Sequence, residues 1–350
     1  MKAIVKRSSG PGLFWDDVPI PTIAPDEVLI QPLKTSICGT DIHIYKWDAW
    51  AQKTVPTPLV IGHEFMGKVV EIGADVEGIS IGDKVSGEGH ITCYTCPNCR
   101  SGRSHLCPDT EVIGIHRHGC FAEFFPFKAR NVFPIPEGIP DDIAAIFDPL
   151  GNAVHTAQSF DLKSKDVLIT GAGPIGIMAV AVAKHMGANK VVITDVNDTR
   201  LKLAKDLGAD KAVNVTKSTL DRDTFSVAFE MSGSPQALIQ SLDALEPGGK
   251  IGLLGFLPPG ITIDWDLVIF KMLTLKGIYG RQVFATWDQM SQMLQEGLKI
   301  TPVITHKFPA EEFQQGFDVM MHGESGKVIL EWTQEEVNVI EDQDFEAKIA

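Results

Sequence analysis

Four cysteines lie within one short polar stretch, at the spacing Cys93-x2-Cys96-x2-Cys99-x7-Cys107. This spacing is typical of a closed tetrahedral zinc site, in which the metal stabilises structure and has no open position for chemistry. A disulfide cluster is typical of small secreted domains, whereas this chain has 350 residues and its first residues lack the apolar segment of a signal peptide. An iron–sulfur cluster shares the first three cysteines, but its fourth cysteine follows after three residues rather than seven. The spacing therefore predicts a structural zinc lobe over residues 88–110.

A second, smaller group of metal-ligand residues precedes this lobe. Cys38 and His63 are the soft and borderline ligands that suit zinc, and so few ligands leave a position open for a substrate. Glu64 follows His63 directly, so both can face one metal only if the chain turns at Gly62. In the alternative interpretation, Glu64 does not bind the metal and instead holds another side chain of the site in place. Asp148 is the other candidate carboxylate, either as a helix N-cap or as a group that completes the metal shell.

Thr40 and His43 are spaced to act together near that metal. If residues 40–47 are helical, these two side chains lie on one face of the helix. A zinc ion makes a bound alcohol more acidic, and the resulting alkoxide expels hydride to the nicotinamide. The proton released from the alcohol can pass through Thr40, a ribose hydroxyl of the cofactor and His43 to solvent. His90, just before the four-cysteine lobe, is predicted to face the substrate. His155 falls on the predicted helix after Asp148 and is expected to pack.

A glycine-rich turn later in the chain predicts a dinucleotide site. Residues 166–170 form an apolar strand pattern, the turn follows, and an apolar helical pattern continues to residue 185. In this context Gly171 permits the tight turn, Gly173 lets the backbone approach a pyrophosphate, and Gly176 allows close packing of helix on strand. Backbone amides at the start of that helix hold the anion, so an acidic protein can still bind a dinucleotide.

An acidic residue after the next strand refines the cofactor prediction. Asp195 ends the strand at residues 190–194 and is placed to accept hydrogen bonds from the adenosine ribose. Its charge repels a 2′-phosphate, which favours NAD over NADP. Arg200, at the start of the next helical pattern, either lies along the adenine or is a solvated helix charge.

The chain is long enough for two domains at roughly 150 residues each, and its pattern changes near residue 150. Short apolar runs separated by Gly, Pro and Asp indicate a small barrel first, and alternating strands and helices then indicate a doubly wound parallel sheet. We predict a catalytic zinc domain at 1–150 and 296–350 and an NAD-binding domain at 151–295. The stretch 215–224 is short for a crossover helix, which leaves the sheet order open. The acid-rich residues 333–350 are expected to be a mobile extension.

Charge and composition narrow the partners. The net charge is −14, which argues against nucleic acid and anionic membranes. The sequence has no apolar run of the 18 residues or more that a transmembrane helix requires. Metal-bound, reduced cysteines fit the cytoplasm.

Together these motifs resemble the zinc-containing medium-chain dehydrogenase/reductase family. The resemblance covers residues 1 to about 332, and its general motifs are the four-cysteine lobe and residues 38–43, 62–64, 147–155 and 171–176. More distinctive stretches are similar to members of the family that oxidise L-threonine; they comprise residues 42–48, 86–93, 193–197, 263–265, 268–271 and 276–281. The fold implied is a GroES-like catalytic domain joined to a Rossmann domain.

The resemblance also implies an activity and roles for individual residues. The activity is oxidation of L-threonine at C3 by NAD to L-2-amino-3-oxobutanoate, in a homotetramer with two zinc ions per chain. Catalytic zinc would be bound by Cys38, His63 and Glu64, with Asp148 assisting nearby. The implied NAD contacts are Ile175, Asp195, Arg200, Leu254, Gly255, Phe256, Ile278 and Tyr279.

Two other interpretations remain from the sequence. A polyol or secondary-alcohol dehydrogenase of the same architecture would carry similar zinc, relay and cofactor motifs, and differ in the substrate pocket. A non-catalytic nucleotide-binding protein on this scaffold could lose its metal ligands and relay, whereas Cys38, His63, Glu64, Thr40 and His43 are all present here.

Overall fold

The computed structural model describes residues 1–332, so the acid-rich tail at 333–350 lies outside the described residues. The strands of the described part are, in chain order, β1 (Lys2–Lys6), β2 (Phe14–Asp17), β3 (Glu27–Ser36), β4 (Leu59–Val60), β5 (Phe65–Ile72), β6 (Lys84–Gly87), β7 (His90–Ile91), β8 (Glu111–Val112), β9 (Phe125–Lys128), β10 (Val132–Pro134), β11 (Asp166–Thr170), β12 (Lys190–Asp195), β13 (Lys211–Asn214), β14 (Phe225–Glu230), β15 (Leu245–Leu253), β16 (Thr274–Gly277), β17 (Ile304–Pro309) and β18 (Lys327–Glu331).

The α-helices of the same part are, in chain order, α1 (Gly39–Lys46), α2 (Ala49–Thr54), α3 (Pro97–Arg100), α4 (Asp141–Ala144), α5 (Phe147–Gln158), α6 (Pro174–His185), α7 (Asp198–Asp206), α8 (Pro235–Ala244), α9 (Trp265–Phe270), α10 (Ala285–Gln295) and α11 (Phe313–Met321). None of these helices combines the length and the apolar character needed to traverse a bilayer.

The β-rich part is built from both ends of the described chain. One sheet has the order β10-β6-β5-β3-β18-β17, with β9 paired to the start of β3, and a smaller sheet has the order β2-β1-β4. Phe65, Phe125 and Phe127 pack edge to face or tilted inside it, with ring centroids 4.8–5.7 Å apart. The chain returns to this sheet in β17 and β18 after the parallel sheet. The predicted domain boundaries near residues 150 and 295 stay predictions.

The central part is a six-stranded parallel sheet in the order β13-β12-β11-β14-β15-β16. Residues 167–170 of β11 are all buried, as expected for a strand covered by helices on both faces. The doubly wound fold class is confirmed. The connection at 215–224 contains no helix, yet it carries the chain from the edge strand β13 across to β14, which pairs with β11. The sheet order that the sequence left open is therefore the doubly wound order given above.

The two parts share one hydrophobic core. A single cluster of buried residues joins Met66 and Phe133 of the β-rich part to Val167 and Ile169 of the parallel sheet. Helix α5 runs through this junction and packs against α6 and α10. In doubly wound sheets, ligands bind at the carboxyl ends of the strands. The segment that follows the carboxyl end of β16 reaches the β-rich part, where the Tyr279 ring meets the His90 ring.

Candidate active site

Cys38, His63 and Glu64 converge at one point in the β-rich part. One ligand atom from each residue lies within 4.8 Å of the other two. Cys38 is the N-cap of α1, whereas His63 and Glu64 lie between β4 and β5. Gly62 adopts φ +92°, a left-handed conformation that glycine accepts readily. The turn at Gly62 lets His63 and Glu64 reach the same point.

The buried carboxylate of Asp41 lies next to His63 and was not predicted from the sequence. Asp41 Oδ1 lies 3.8 Å from His63 Nδ1, and its Oδ2 accepts a hydrogen bond from the Cys38 amide at 2.8 Å. Burial raises the pKa of Asp41 to about 6. Metal-ligating histidines commonly present their second nitrogen to such a carboxylate. The only sequence signal was the position of Asp41 inside the Cys38–His43 motif.

The electrostatics of the site favour a bound cation. Burial alone would lower the pKa of His63, but the negative charges of Cys38 and Asp41 outweigh it and raise that pKa to about 10. His63 Nδ1 and Asp41 Oδ1 are buried without a hydrogen-bond partner. A sulfur, nitrogen and oxygen donor set in these surroundings fits zinc.

Glu64 is held from behind by a buried lysine. Its Oε2 lies 2.5 Å from Lys327 Nζ, which also donates to the Ile37 carbonyl at 2.9 Å. Glu64 Oε1 is buried and has no partner, so it stays available to a metal. Lys327 opens β18, far along the chain, and no local pattern could have pointed to it.

Asp148 lies close to this point but is bound to an arginine. It is buried in the first turn of α5, and its Oδ2 is 2.5 Å from Arg281 Nη2. The same guanidinium contacts Glu88 Oε1 at 2.5 Å, and Trp287 Nε1 donates to Glu88 Oε2 at 3.1 Å. The geometry thus leaves Glu64 as the carboxylate beside Cys38 and His63.

His90 belongs to the same charged group. Glu88, His90 and Asp148 have ligand atoms within 4.8 Å of one another, a spacing that a metal could bridge. The guanidinium of Arg281, whose side chain is fully buried, already compensates these carboxylates, so we interpret the group as an ion-pair network. His90 Nδ1 lies 2.7 Å from Glu88 Oε1, and its ring meets the Tyr279 ring edge-on.

The predicted relay residues and the predicted packing histidine are placed as follows. Thr40 and His43 both lie on α1, and Thr40 Oγ1 is 3.8 Å from Cys38 Sγ. The His43 side chain is 60% exposed, so its ring reaches solvent. His155 is buried on α5 and its Nδ1 lies 2.8 Å from the Gly280 carbonyl oxygen, which suits a packing role.

The four cysteines of the lobe form a second, closed group. One sulfur from each lies within 4.8 Å of the others, and Cys93 and Cys107 have their Sγ atoms 3.5 Å apart. A disulfide would require about 2.05 Å, whereas two thiolates on one tetrahedral zinc lie roughly 3.8 Å apart at Zn–S distances of about 2.3 Å. Hydrogen bonds, first from the Thr95 amide, lower the pKa of Cys93 to about 6, whereas burial raises the pKa of Cys99 to about 12. The lobe fits structural zinc.

The glycine-rich turn has the geometry that a pyrophosphate needs. Gly171 adopts φ +96°, and a Cβ on Gly176 would lie 1.9 Å from the Gly171 carbonyl oxygen, so only glycine permits this contact of helix and strand. A Cβ on Gly173 would meet no atom within 4 Å, so the backbone at the N-cap of α6 faces open space. Ile175 follows in the first turn of α6.

Asp195 closes the turn from the next strand. Its Oδ2 accepts from the Ala172 amide at 2.6 Å, and its Oδ1 accepts from the amides of Val196 and Asn197. Arg200 lies in the first turn of α7, and its Nε is buried without a hydrogen-bond partner. Asn197 also donates to the Gly323 carbonyl at 2.9 Å, which ties this loop to the returning C-terminal segment.

The remaining predicted cofactor residues line the same edge of the sheet. Leu254 and Gly255 follow β15, and their backbone amides donate hydrogen bonds to the Glu230 carbonyl at 2.9 and 3.0 Å. The Phe256 side chain next to them is exposed. Ile278 follows β16, and Tyr279 beside it touches His90. The structure therefore places these predicted cofactor residues just after the carboxyl ends of β15 and β16, while their individual roles stay predictions.

Comparison with known families and proteins agrees with this arrangement. The alcohol dehydrogenase GroES-like domain family matches residues 24–137, and the zinc-binding dehydrogenase family matches residues 174–296. The L-threonine 3-dehydrogenase of Protochlamydia amoebophila is 57% identical over 341 residues, covering 95% of this chain and 100% of the relative. The L-threonine 3-dehydrogenase of Escherichia coli (strain K12) is 55% identical over 340 residues, with the same coverage of both chains.

Solved structures show the same architecture at lower identity. An alcohol dehydrogenase from Thermus sp. ATN1 is 27% identical, with a TM-score of 0.87 over 95% of this chain and all of that chain. An alcohol dehydrogenase from E. coli in complex with NADH is 26% identical, with a TM-score of 0.85 over 95% of this chain and 99% of that chain. With its open Cys–His–Glu site, its four-cysteine lobe and its glycine-rich turn, the chain belongs to the zinc-containing medium-chain dehydrogenase/reductase family, whose members use zinc and a nicotinamide dinucleotide.

Proposed function

We propose that this chain oxidises L-threonine at C3 to L-2-amino-3-oxobutanoate and reduces NAD to NADH, releasing one proton. The observation that carries the proposal is the identity of 55–57% over 95% of the chain with relatives named L-threonine 3-dehydrogenase. The open Cys–His–Glu site supports the chemistry, because oxidation of an alcohol needs a metal with a free position.

The mechanism assigns a task to each group of residues. Zinc held by Cys38, His63 and Glu64 would make the substrate hydroxyl more acidic, and bound NAD would accept the hydride from C3. Lys327 holds one oxygen of Glu64 and leaves the other toward the ligand site. The proton of the substrate hydroxyl leaves along α1, through Thr40 and then the exposed His43, to water.

The cofactor preference follows from Asp195. Its carboxylate lies beside the glycine-rich turn, bound to the Ala172 amide, where a ribose hydroxyl can donate to it. The hydrogen bonds that Asp195 accepts in the described chain come from backbone amides. None of them comes from a positively charged side chain that could bind a 2′-phosphate instead. We therefore propose NAD as the preferred coenzyme, with Arg200 lying beside the adenine.

The first experiment measures NADH formation by the purified, zinc-loaded protein with NAD and three substrates in turn: L-threonine, sorbitol and a simple secondary alcohol. Threonine-dependent NADH that disappears with a chelator is the expected result. Activity on sorbitol or the alcohol alone would keep the zinc dehydrogenase mechanism and overturn the threonine assignment. No activity on any substrate, with zinc content verified, would favour a non-catalytic nucleotide-binding protein.

We also propose that the chain assembles as a homotetramer in which the edge of the parallel sheet is one self-contact. β16 is the last strand of that sheet in the described chain and is largely exposed. Beside it, Phe270 and Met272 are 81% and 80% exposed. Open strand edges and contiguous apolar patches mark association surfaces, and an edge strand can pair with its symmetry mate. Light scattering on Phe270→Glu should give a smaller assembly than the parent protein.

The proposed compartment is the cytoplasm. All six cysteines are free thiols in the structure, and four of them form the lobe's metal-ligand group. Such thiols persist in a reducing compartment.

A further inference from the structure

The chain reverses sharply after α1 and returns an acidic side chain to His43. Trp47 has φ 55° and ψ 48°, the left-handed conformation that residues other than glycine rarely adopt. Its amide donates to the Ile44 carbonyl at 3.2 Å, and Gln52 Nε2 donates to the Trp47 carbonyl at 2.9 Å. Backbone strain of this kind persists where the surroundings determine it, and it clusters at functional sites.

The returned side chain is Asp48, and its two oxygens have separate partners. Oδ1 caps α2 by accepting from the amides of Trp50 and Ala51, both at 3.0 Å. Oδ2 lies 2.5 Å from His43 Nδ1. Capping a helix requires one oxygen only, so the contact with His43 is additional. The same hydrogen bonds, first that from the Ala51 amide, lower the pKa of Asp48 and keep it ionised.

An ionised carboxylate accepts hydrogen bonds and cannot donate one. His43 Nδ1 must therefore carry the hydrogen, and in the neutral ring Nε2 is left unprotonated as the acceptor. The Trp50 ring packs edge to face with the imidazole, with centroids 6.1 Å apart, and limits its rotation. The ring is thus fixed in both tautomer and orientation while it stays exposed to water.

We infer that Asp48 is a positioning residue for the proton relay, because it holds His43 with Nε2 ready to accept the proton that the substrate hydroxyl releases. This inference rests on the proposed function and goes beyond it. His43 Nε2 gains the proton that arrives by way of Thr40 and then gives it to water. Nδ1 keeps its hydrogen and Asp48 stays ionised throughout.

Asp48→Asn separates positioning from capping. Asparagine is as good an N-cap as aspartate, so its carbonyl oxygen can keep the bonds to the amides of Trp50 and Ala51. Its remaining group is an amide NH₂, which donates, so His43 must turn Nδ1 into the acceptor and place the hydrogen on Nε2. We expect kcat with L-threonine and NAD to fall about tenfold, a part of the ~10²–10⁴-fold that a positioned base contributes. KM for NAD and the Tm should stay close to the parent values.

The matched control is Asp264→Asn. Asp264 is the N-cap of the equally short helix α9, and one of its oxygens accepts from the amides of Asp266 and Leu267. Within residues 1–332, no histidine contact to Asp264 is present. This variant is expected to keep the parent kcat, which shows that the same change at an ordinary cap is neutral.

A double-mutant cycle with His43→Gln decides between positioning and a purely structural role. In the His43→Gln background, Asp48→Asn should cause no further loss of kcat. A full tenfold loss in both backgrounds, or a parental kcat for Asp48→Asn alone, would overturn the inference. If His43→Gln itself has no effect, the relay and this inference both fail, whereas the proposed function is judged separately by threonine-dependent NADH formation in the parent protein.

Discussion

At the residue scale, six cysteines have three different surroundings. Cys38 lies with His63 and Glu64, four cysteines form the lobe, and Cys120 is fully buried against the Glu64 carbonyl at 3.6 Å. Burial raises the pKa of the Cys120 thiol, so it behaves as a small apolar side chain. The same residue type therefore serves as open ligand, closed ligand and core residue in one molecule.

Substitution of Cys38 should separate chemistry from folding. Cys38→Ser replaces the thiolate by a much weaker ligand, so we expect loss of one zinc per chain and loss of most threonine-dependent activity, with the fold retained. Zinc content by atomic emission and circular dichroism measure the two effects. Cys120→Ser is the matched control and should retain both zinc ions. An active Cys38→Ser protein with two zinc ions would exclude Cys38 from the metal site.

Removal of one charge should change the coenzyme preference. Asp195→Asn keeps an acceptor for the Ala172 amide but loses the repulsion toward a 2′-phosphate. We expect kcat/KM for NAD to fall roughly ten- to a hundredfold, since a hydrogen bond to a charged group contributes about 1.5–3 kcal/mol, and kcat/KM for NADP to rise. The neighbouring exposed Asp198→Asn controls for net charge. A preference for NADP in the parent protein would contradict the role of Asp195.

What the sequence predicted at this scale was set by local spacing. Cys38, the His63–Glu64 pair and the glycines of the turn all belong to short motifs, and the structure brings each group together. Asp41, Asp48 and Lys327 were missed as supporting residues. Their partners are fixed by chain reversal or by strand pairing, and a side chain that acts through another residue leaves no periodic signal.

At the element scale, the zinc lobe is a short segment with little core of its own. It is closed by the two-residue strands β7 and β8, and between them it contains the four-residue helix α3 and a three-residue 3-10 helix at Ser104–Leu106. Such a segment cannot bury enough apolar surface to order itself, so metal ligation must supply much of its stability.

Loss of one lobe ligand should therefore loosen this element first. Cys96→Ser removes one of the four thiolates, and we expect loss of the structural zinc and a lower Tm. Arg100 and Arg103 are exposed within the lobe, so trypsin should cleave there faster than in the parent protein. Cys38→Ser, which leaves the lobe intact, should be cleaved at the parental rate. A Cys96→Ser protein with unchanged Tm and proteolysis would show that the site is not structural.

Secondary structure was predicted well where one periodicity was strong. β11 and β12 match the strand patterns at residues 166–170 and 190–194 to within one residue, because strands buried on both faces have continuous apolar sequence. β15 extends from Leu245 through two glycines, which the pattern did not predict. The helix-free crossing from β13 to β14 was also beyond the sequence, since it depends on the position of a distant strand.

At the scale of the whole molecule, one buried ion-pair network holds the junction that contains the site. Arg281 comes from the loop after β16, Glu88 from the β-rich part and Asp148 from α5. The negative charges of Asp148 and Glu88 outweigh burial and raise the pKa of Arg281, so the guanidinium stays charged. The stretches 86–93 and 276–281 were each distinctive in the sequence, but only the fold shows that they contact each other.

Removing Arg281 alone should cost more stability than removing Arg281 together with the charge of Glu88. Arg281→Met leaves Glu88 and Asp148 as buried charges without a partner, a loss of roughly 3–5 kcal/mol, which corresponds to a Tm lower by about 5–10 °C. The double variant Glu88→Gln with Arg281→Met removes one of those charges and should recover part of the Tm, because the amide needs far less compensation. Thermal unfolding of the parent, both single variants and the double variant at one protein concentration measures the coupling. If the two single effects simply add, Glu88 and Arg281 are not coupled, and the junction is instead held by the shared hydrophobic core around Met66 and Phe133.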